Sequence, residues 1–413
     1  MIETKEKLVP SLRFPEFNSE WKRNTIAKTF SIFNGYAFSS SDSIKENGVK
    51  WVKIADVGVD NMKEDNLSYL PKKFIDSYKK FVLKEGDYVL ALTRPILDDR
   101  LKIARINDFF HNSLLNQRVG KIVTSHNQDF VFNLLKRRKL VKEIENNIAG
   151  SDPPNLSSKE IRNIKVYLPE DKEQQKIASF LSAVDEKINQ LQRKKELLQA
   201  YKKGMMQQLF SQQLRFKNED GNDFPEWRKG VIKDFGYFYY GKSAPKFSLS
   251  EDAPTPCVRY GELYSTYKEV ITEIKSYTNI EPKNLKFSKG GEVLVPRVGE
   301  DPLDFANCSY LPLKDVAIGE MISVYNTKEN GLYITYYFNA SMKRKFGKVV
   351  EGGNVSNLYF KYLEDIPVSI PSKEEQTKIA SFLSALDAKI DTVSTAIIQT
   401  QDFKKGLLQQ MFV

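Results

Sequence analysis

The sequence predicts an α+β protein: two globular α/β domains joined by two long antiparallel coiled-coil helices, the halves forming a pseudo-twofold internal repeat. Three observations predict it. Glu173–Ile188 returns as Glu375–Ile390 with three differences, a shift of 202 residues, and Lys202–Phe210 returns as Lys404–Phe412 at the same shift. The repeated blocks carry a seven-residue apolar period. Between them lie short β-type runs bounded by Gly and Asn that match only in outline. The repeat is a duplicated module, far longer than a solenoid unit of about 20–50 residues.

The elements follow in chain order. Residues 1–168 read as the first globular domain, marked by Leu12-Arg-Phe14, Glu20-Trp-Lys22, Trp51–Val57 and Gly86–Leu90. In its amphipathic stretch Val131, Leu134, Leu135, Val141, Ile144 and Ile148 keep helical spacing, and Gly150 stops it. Residues 169–212 read as the first long helix, starting at Pro169, with Ile177, Val184, Leu191, Leu198 and Met205 in heptad register. A second stripe holds Phe180, Leu181 and Ile188 but is broken by Lys194 and Lys195, so the seam can also accept outside helices. Residues 213–370 read as the second domain. Leu214-Arg-Phe216, Glu226-Trp-Arg228, Cys257–Leu263 and Gly290–Leu294 answer the first domain's marks. Leu332–Phe346 is the second amphipathic stretch, and Asn354-Val-Ser356 is matched to Asn155-Leu-Ser157. Residues 371–413 read as the second long helix, with Ser372-x-x-Glu375 as a capping box and Ile379, Leu386, Val393, Thr400 and Leu407 in register. Each helix spans about 60 Å at 1.5 Å per residue. Gly204 and Gly406 occupy matched interior places, either for a tight crossing or by tolerance.

Composition narrows the function classes. Lys+Arg number 63 against 53 Asp+Glu, a net charge of +10, which favours a phosphate-bearing partner. Only Cys257 and Cys308 occur, too few for a disulfide framework or a Cys-rich zinc site. With His111 and His126 the only histidines, no His pair has zinc spacing and no Gly-x-Ser-x-Gly elbow appears. No stretch has the apolar length of a membrane span and Met1–Lys7 is polar, so a cytoplasmic protein without membrane contact is expected.

Connectivity sharpens this. The first helix joins the two domains and the second starts where the second domain ends, so helices that pack together pack antiparallel. Twofold proteins on double-stranded DNA read paired half-sites. Because the domains differ, the half-sites should differ. The expected target is two unlike base blocks separated by unread bases, with the helices as ruler.

That organisation resembles the specificity subunit of type I restriction-modification systems. The resemblance rests on the duplicated Glu-Gln-x-Lys-Ile-Ala-x-Phe-Leu helix starts and on Gly150–Ser157 before Leu168-Pro169. Asn34–Phe38 and Gly86–Leu90 look like the family's early loop and mid-domain strand. The second half departs from the pattern: Gly352–Ser356 lacks the Pro, and Pro296 interrupts the strand after Val293-Leu294. The resemblance implies two target-recognition domains, two spacer helices, and assembly with two methyltransferase (modification) subunits and two motor/endonuclease (restriction) subunits. It implies no chemistry in this chain, with S-adenosylmethionine and ATP/Mg on the partners. Two other readings carry less. Asp152-Pro-Pro-Asn155 lacks the aromatic residue that an adenine DNA methyltransferase stacks on a flipped base. A coiled-coil scaffold without a DNA role explains the helices but not the paired divergent domains.

Base contacts need Arg, Lys, Asn, Gln, Ser or Thr on exposed loops. Candidates in the first domain are Asn34, Tyr36, Ser39, Thr93, Arg94, Arg100, Lys102, Gln117 and Arg118. In the second they are Lys242, Ser243, Lys246, Arg259 and Arg297. Lys343 and Arg344 read either as phosphate contacts or as a solvated helix face. Tyr36 and Phe38 read equally as core, Arg100 as a partner of Asp98 and Asp99, and Tyr237–Tyr240 as strand core. On the helices Ile177, Leu181, Val184, Ile188, Leu191, Ile379, Leu383, Leu386 and Ile390 are expected at helix–helix contacts, with partner subunits among the occupants.

Overall fold

The protein, seen in a computed structural model, is described over residues 8–413 except 66, 149–152 and 354. The Gly150 stop, the start of the Gly150–Ser157 block, Asp152, Asn354 and the Met1–Lys7 terminus therefore lie outside the described residues. The chain forms two compact units. One takes in the chain up to Gln192 together with Thr395–Val413; the other is Arg193–Ser394. Each unit thus holds one globular domain, the N-terminal stretch of one long helix and the C-terminal stretch of the other.

The two domains repeat one plan. In the first, a four-stranded antiparallel sheet runs in the order Ser31–Asn34, Val119–Val123, Tyr88–Ala91, Ile103–Arg105. In the second the order is Gly236–Tyr240, Ile322–Thr327, Glu292–Pro296, Ser309–Leu311. Val49–Val52 pairs parallel with Leu114–Leu115, as Thr255–Val258 does with Lys314–Ile318. A short pair at the domain base, Lys22–Thr25 with Lys165–Leu168, returns as Arg228–Val231 with Pro367–Ile370. Val89, Leu90 and Ala91, like Val293, Leu294 and Val295, are buried on both faces, because helices cover one side of the sheet and the parallel-strand layer the other. Pro296 ends its strand in register with Ile322 rather than interrupting it, which suits a residue with no N–H to donate.

Three local readings are corrected. The amphipathic stretch of the first domain is two helices, Gln128–Leu134 and Arg138–Ile148, broken where the Lys136 side chain turns inward to Asp60 at 2.8 Å. The counterpart of Asn155-Leu156-Ser157 is Asn357-Leu358-Tyr359, again at a shift of 202. Ser157 and Tyr359 both precede the short helices Ser158–Ile161 and Phe360–Leu363. The capping box at Ser372 is half made: Ser372 Oγ accepts from Glu375 N at 3.3 Å, while the Glu375 carboxylate points elsewhere.

Where it points explains the repeat. The helices run Asp171–Phe210 and Lys373–Gln410. Arg13 Nε and Nη2 donate to Glu173 Oε1 and Oε2, both at 2.7 Å, and Trp21 Nε1 adds a third bond at 3.3 Å. Arg215 does the same to Glu375 at 3.0 and 2.8 Å, with Trp227 at 3.2 Å. Gln174 accepts from Asn127 N and donates to Pro169 O; Gln376 accepts from Asn330 N and donates to Pro371 O. The matched Glu-Gln pair and the matched Arg and Trp are thus partners. Together they fasten each helix start to its own domain through buried, charge-assisted bonds.

Within the first unit Gln410 O accepts from Leu12 N at 2.9 Å, and Leu407 and Met411 share a core with Ile177 and Leu181. Lys404 pairs with Asp185 further along, so the two helical stretches run antiparallel. In the second unit Lys202 pairs with Asp387 at 2.5 Å and Glu269 at 2.7 Å, and Leu209 shares a core with Ile379 and Leu383. Ile177, Leu181, Val184, Ile188, Ile379, Leu383, Leu386 and Ile390 are all buried inside their own units and Leu191 is half-buried. The eight buried positions are covered by the chain itself, while Leu191 keeps part of its surface exposed. Gly204 has no neighbour within 4 Å of a built Cβ and Gly406 only Gln410 at 3.8 Å, so neither marks a tight crossing.

Candidate nucleic-acid interface

In the first domain, four segments meet at one end of the four-stranded sheet. Strand Ser31–Asn34 ends there, and Tyr36 N donates to Leu115 O while Gln117 N donates to Tyr36 O, each at 2.9 Å. Beyond strand Tyr88–Ala91, Leu92 N donates to Arg118 O at 2.9 Å and Arg94 N to Pro154 O at 2.8 Å. Thr93 Oγ1 donates to Asn155 Oδ1 at 2.7 Å. A Cβ on Gly35 would sit 2.2 Å from Asn116 O, so the close approach of loop to turn requires glycine.

The second domain builds the same edge from other side chains. Gly241 N donates to Ile322 O at 3.1 Å and Lys242 N to Ile318 O at 2.8 Å. Glu320 N donates to Ser243 O, Gly319 N to Val258 O beside Arg259, and Arg297 N to Met321 O. A Cβ on Gly241 would sit 2.1 Å from Gly319 O, the same constraint as at Gly35. Ser243 and Ala244 both take left-handed φ, of 66° and 59°, to turn the chain away after the glycine.

The edges therefore collect Asn34, Tyr36, Thr93, Arg94, Gln117 and Arg118 in one domain, and Lys242, Ser243, Arg259 and Arg297 in the other. Asn34, Arg94, Gln117, Arg118 and Lys242 are exposed, and Arg94 sits at a left-handed φ of 49°. Tyr36 is 39% exposed and leans on Phe38, Tyr78 and Phe81, while Phe38 is buried. Ser39 is exposed, and its Oγ accepts from Ser41 N at 3.2 Å. Lys246 is exposed on the loop beyond Ser243, beside Phe247 at 87% exposure. That aromatic carried no sequence signal, because nothing in one residue's neighbours announces that it stays outside the core.

Other candidates are held elsewhere. Arg100 pairs with Asp60 rather than with Asp98 or Asp99, which take left-handed φ in the hairpin turn between Ile96–Leu97 and Arg100–Leu101. Lys102 donates inward to Ile54 O at 2.8 Å, and burial, with repulsion from Lys63, pushes its ammonium below the usual lysine range. Lys343 and Arg344 are exposed on helix Lys343–Gly347, outside the backbone contacts that make the second edge. In the Tyr237–Tyr240 run Phe238 is buried, Tyr237 is exposed, and burial pushes the Tyr239 hydroxyl above its ordinary value. Tyr240 leans on Phe360 in a tilted pair, with ring centroids 4.4 Å apart. Cys308 is sealed in the core, where burial suppresses its thiolate. Among the described residues no cluster of three His, Cys, Asp or Glu could hold a metal, and no helix is long and apolar enough to cross a membrane.

Comparison with known proteins gives this architecture a family. The type I restriction modification DNA specificity domain matches twice, over residues 18–199 and 225–400. The chain is 33% identical over 206 residues to the type I restriction enzyme MjaVIII specificity subunit of Methanocaldococcus jannaschii, covering 49% of this chain and 48% of that protein. It is 26% identical over 181 residues to the EcoAI specificity subunit of Escherichia coli, covering 43% and 30%. It thus spans about half, or less, of the length of these relatives. In fold it is similar to the type I restriction-modification S subunit from M. genitalium, with a TM-score of 0.61 at 15% identity over 98% of this chain and 99% of that one. A second solved structure, from work on assembly and conformational transition of the type I R-M system, gives a TM-score of 0.55 at 16% identity over 95% and 96%. Two family matches that together span most of the chain, each on one copy of a duplicated plan, place this protein in the type I restriction-modification DNA specificity domain family.

Proposed function

We propose that this chain is the sequence-reading subunit of a type I restriction-modification complex, binding double-stranded DNA through one edge on each domain. The observation that carries the reading is the paired edge itself. One backbone plan, pinned at Gly35 and Gly241, presents two unlike sets of polar side chains. A shared scaffold with different readers suits a two-part target with unlike halves. Residues 1–168 and 213–370 are the two readers, and 169–212 and 371–413 set the unread spacer between half-sites. Two methyltransferase subunits bring S-adenosylmethionine, and two motor/endonuclease subunits bring ATP and Mg. The chain directs their chemistry in the cytoplasm and performs none itself.

Partner docking falls to the outer faces of the long helices. Leu197 and Tyr201 on the first, and Ile398 and Phe403 on the second, are all at least half exposed. Large apolar side chains left on a helix surface suit partner helices. The test maps modified bases in DNA from cells carrying the complex. Two unlike blocks at fixed spacing are expected; a single undivided block rejects the reading. Calorimetry of the purified chain with S-adenosylmethionine should give no heat of binding, and micromolar binding would contradict the division of labour.

A further inference from the structure

Where two domains share a backbone plan, a position that differs in chemistry marks a side chain kept for what it meets. Leu92 and Arg297 are such a pair. Each follows an inner strand of its sheet, donates its N–H across to the neighbouring turn (Arg118 O or Met321 O) and accepts from a leucine N–H, Leu156 or Leu358. In the first domain the side chain is a buried leucine in the core. The fold therefore needs no guanidinium here.

The Arg297 guanidinium lies against two rings, 4.5 Å from the Tyr240 centroid and 5.2 Å from that of Tyr359. Its Nε is sealed from solvent without a hydrogen-bond partner among the described residues. Among the described residues no protein acceptor or carboxylate takes either Nη. An arginine stacked for support alone would be expected to pair with an acidic group. This one is held between aromatic faces, and among the described residues neither terminal nitrogen is hydrogen-bonded. The edge around it is the candidate interface: Met321 belongs to the turn that also holds Lys242, Ser243 and Val258.

Two coplanar donors match two coplanar acceptors, and on the major-groove edge of DNA O6 and N7 of guanine supply them. The same fork can also grip a phosphate, but that contact carries no sequence preference, and the test separates the two. We infer that Arg297, held by Tyr240 and Tyr359, reads a guanine in the half-site of the second domain. The inference rests on the proposed function. It assigns the first domain no such reader at the equivalent place, since leucine stands there.

The test uses the full chain co-expressed with its modification subunit, selecting sites from a random duplex library. The wild type should select a two-part site with a G·C pair in the half that follows residues 213–370. Arg297→Ala should lose preference for guanine at that one position by about 10–100-fold and keep every other position. Arg297→Leu, which installs the first domain's residue, should do the same and guards against loss of folding. Arg297→Lys should recover the preference only in part, since an ammonium lacks the planar fork. Equal weakening on all sequences, or guanine preference retained in both the alanine and leucine variants, overturns the inference while leaving the proposed function standing. A wild type that selects no two-part site overturns both.

Discussion

At the scale of single residues, buried charge decides most of what can be tested. Glu173 and Glu375 are fully buried carboxylates, each satisfied by one arginine and one tryptophan. Glu173 in turn holds the Arg13 guanidinium above its ordinary pKa. Removing one partner of a buried pair costs about 3–5 kcal/mol, because the remaining charge stays desolvated. Arg13→Ala and Arg215→Ala should therefore lower stability to urea by about that much, and loss of amide protection should start at the helix beginning in the affected unit. Melting of either variant at the wild-type midpoint would contradict this. Lys136 behaves differently. Burial outweighs attraction to Asp60 and pushes its ammonium down to about 8, from 10.5. Folding thus favours the neutral amine: this contribution is complete above about 10.5 and is lost as pH falls through about 8. Relative to Lys136→Met, the wild type should gain roughly 2–3 kcal/mol between pH 8 and 10.5. Denaturant melts across that range, taken as the difference between the two proteins, check the sign; a flat difference would contradict it.

At the scale of elements, the long helices carry the clearest sequence signal and leave one question to the structure. Heptad spacing located them, because apolar residues every seven positions keep one face inward whatever they pack on. It could not say what they pack on. The seam positions Ile177, Leu181, Val184, Ile379, Leu383 and Leu386 are filled by the chain's own domains and helices. Substituting Asp there would open a core and says nothing about partners. The matched glycines were ambiguous in sequence because a crossing and simple tolerance leave the same trace. Open space around Gly204, and only an ordinary contact near Gly406, decide for tolerance. Gly204→Ala and Gly406→Ala should each stabilise the helix by about 0.5–1 kcal/mol through lost unfolded-state freedom. Thermal melts check it, and a lowered midpoint would mean the glycines are needed for something the isolated chain does not display.

At the scale of the whole molecule, duplication predicts separable functions. Each domain is anchored to its own helix start by its own Arg, Trp, Glu and Gln, so each can be replaced without disturbing the other's anchor. Under the proposed function, exchanging residues 1–168 for the matching region of another family member should change one half of the modified site only. Inserting one helical turn, about 5.4 Å, into the middle of the first long helix should lengthen the unread spacer and leave both halves as they were. Mapping of modified bases decides both. A domain exchange that alters both halves, or neither, would refute separate readers.

The sequence by itself determined the duplication, the helices, the two-domain plan and the family, since these rest on register and period, which survive in one dimension. It also displayed Arg13, Trp21 and the Glu173-Gln174 pair and their copies, but not that they bond to one another, because partners 160 residues apart leave no local trace. Only the tertiary structure decided which polar residues share an edge. Gln117 and Arg118 join Tyr36 and Arg94 through backbone bonds, whereas Lys102 turns inward and Arg100 is taken by Asp60. Polarity in a sequence shows that a side chain can meet water or a base. Which of its neighbours reaches it first is settled by folding, and the stacking of Arg297 on Tyr240 and Tyr359 is settled the same way.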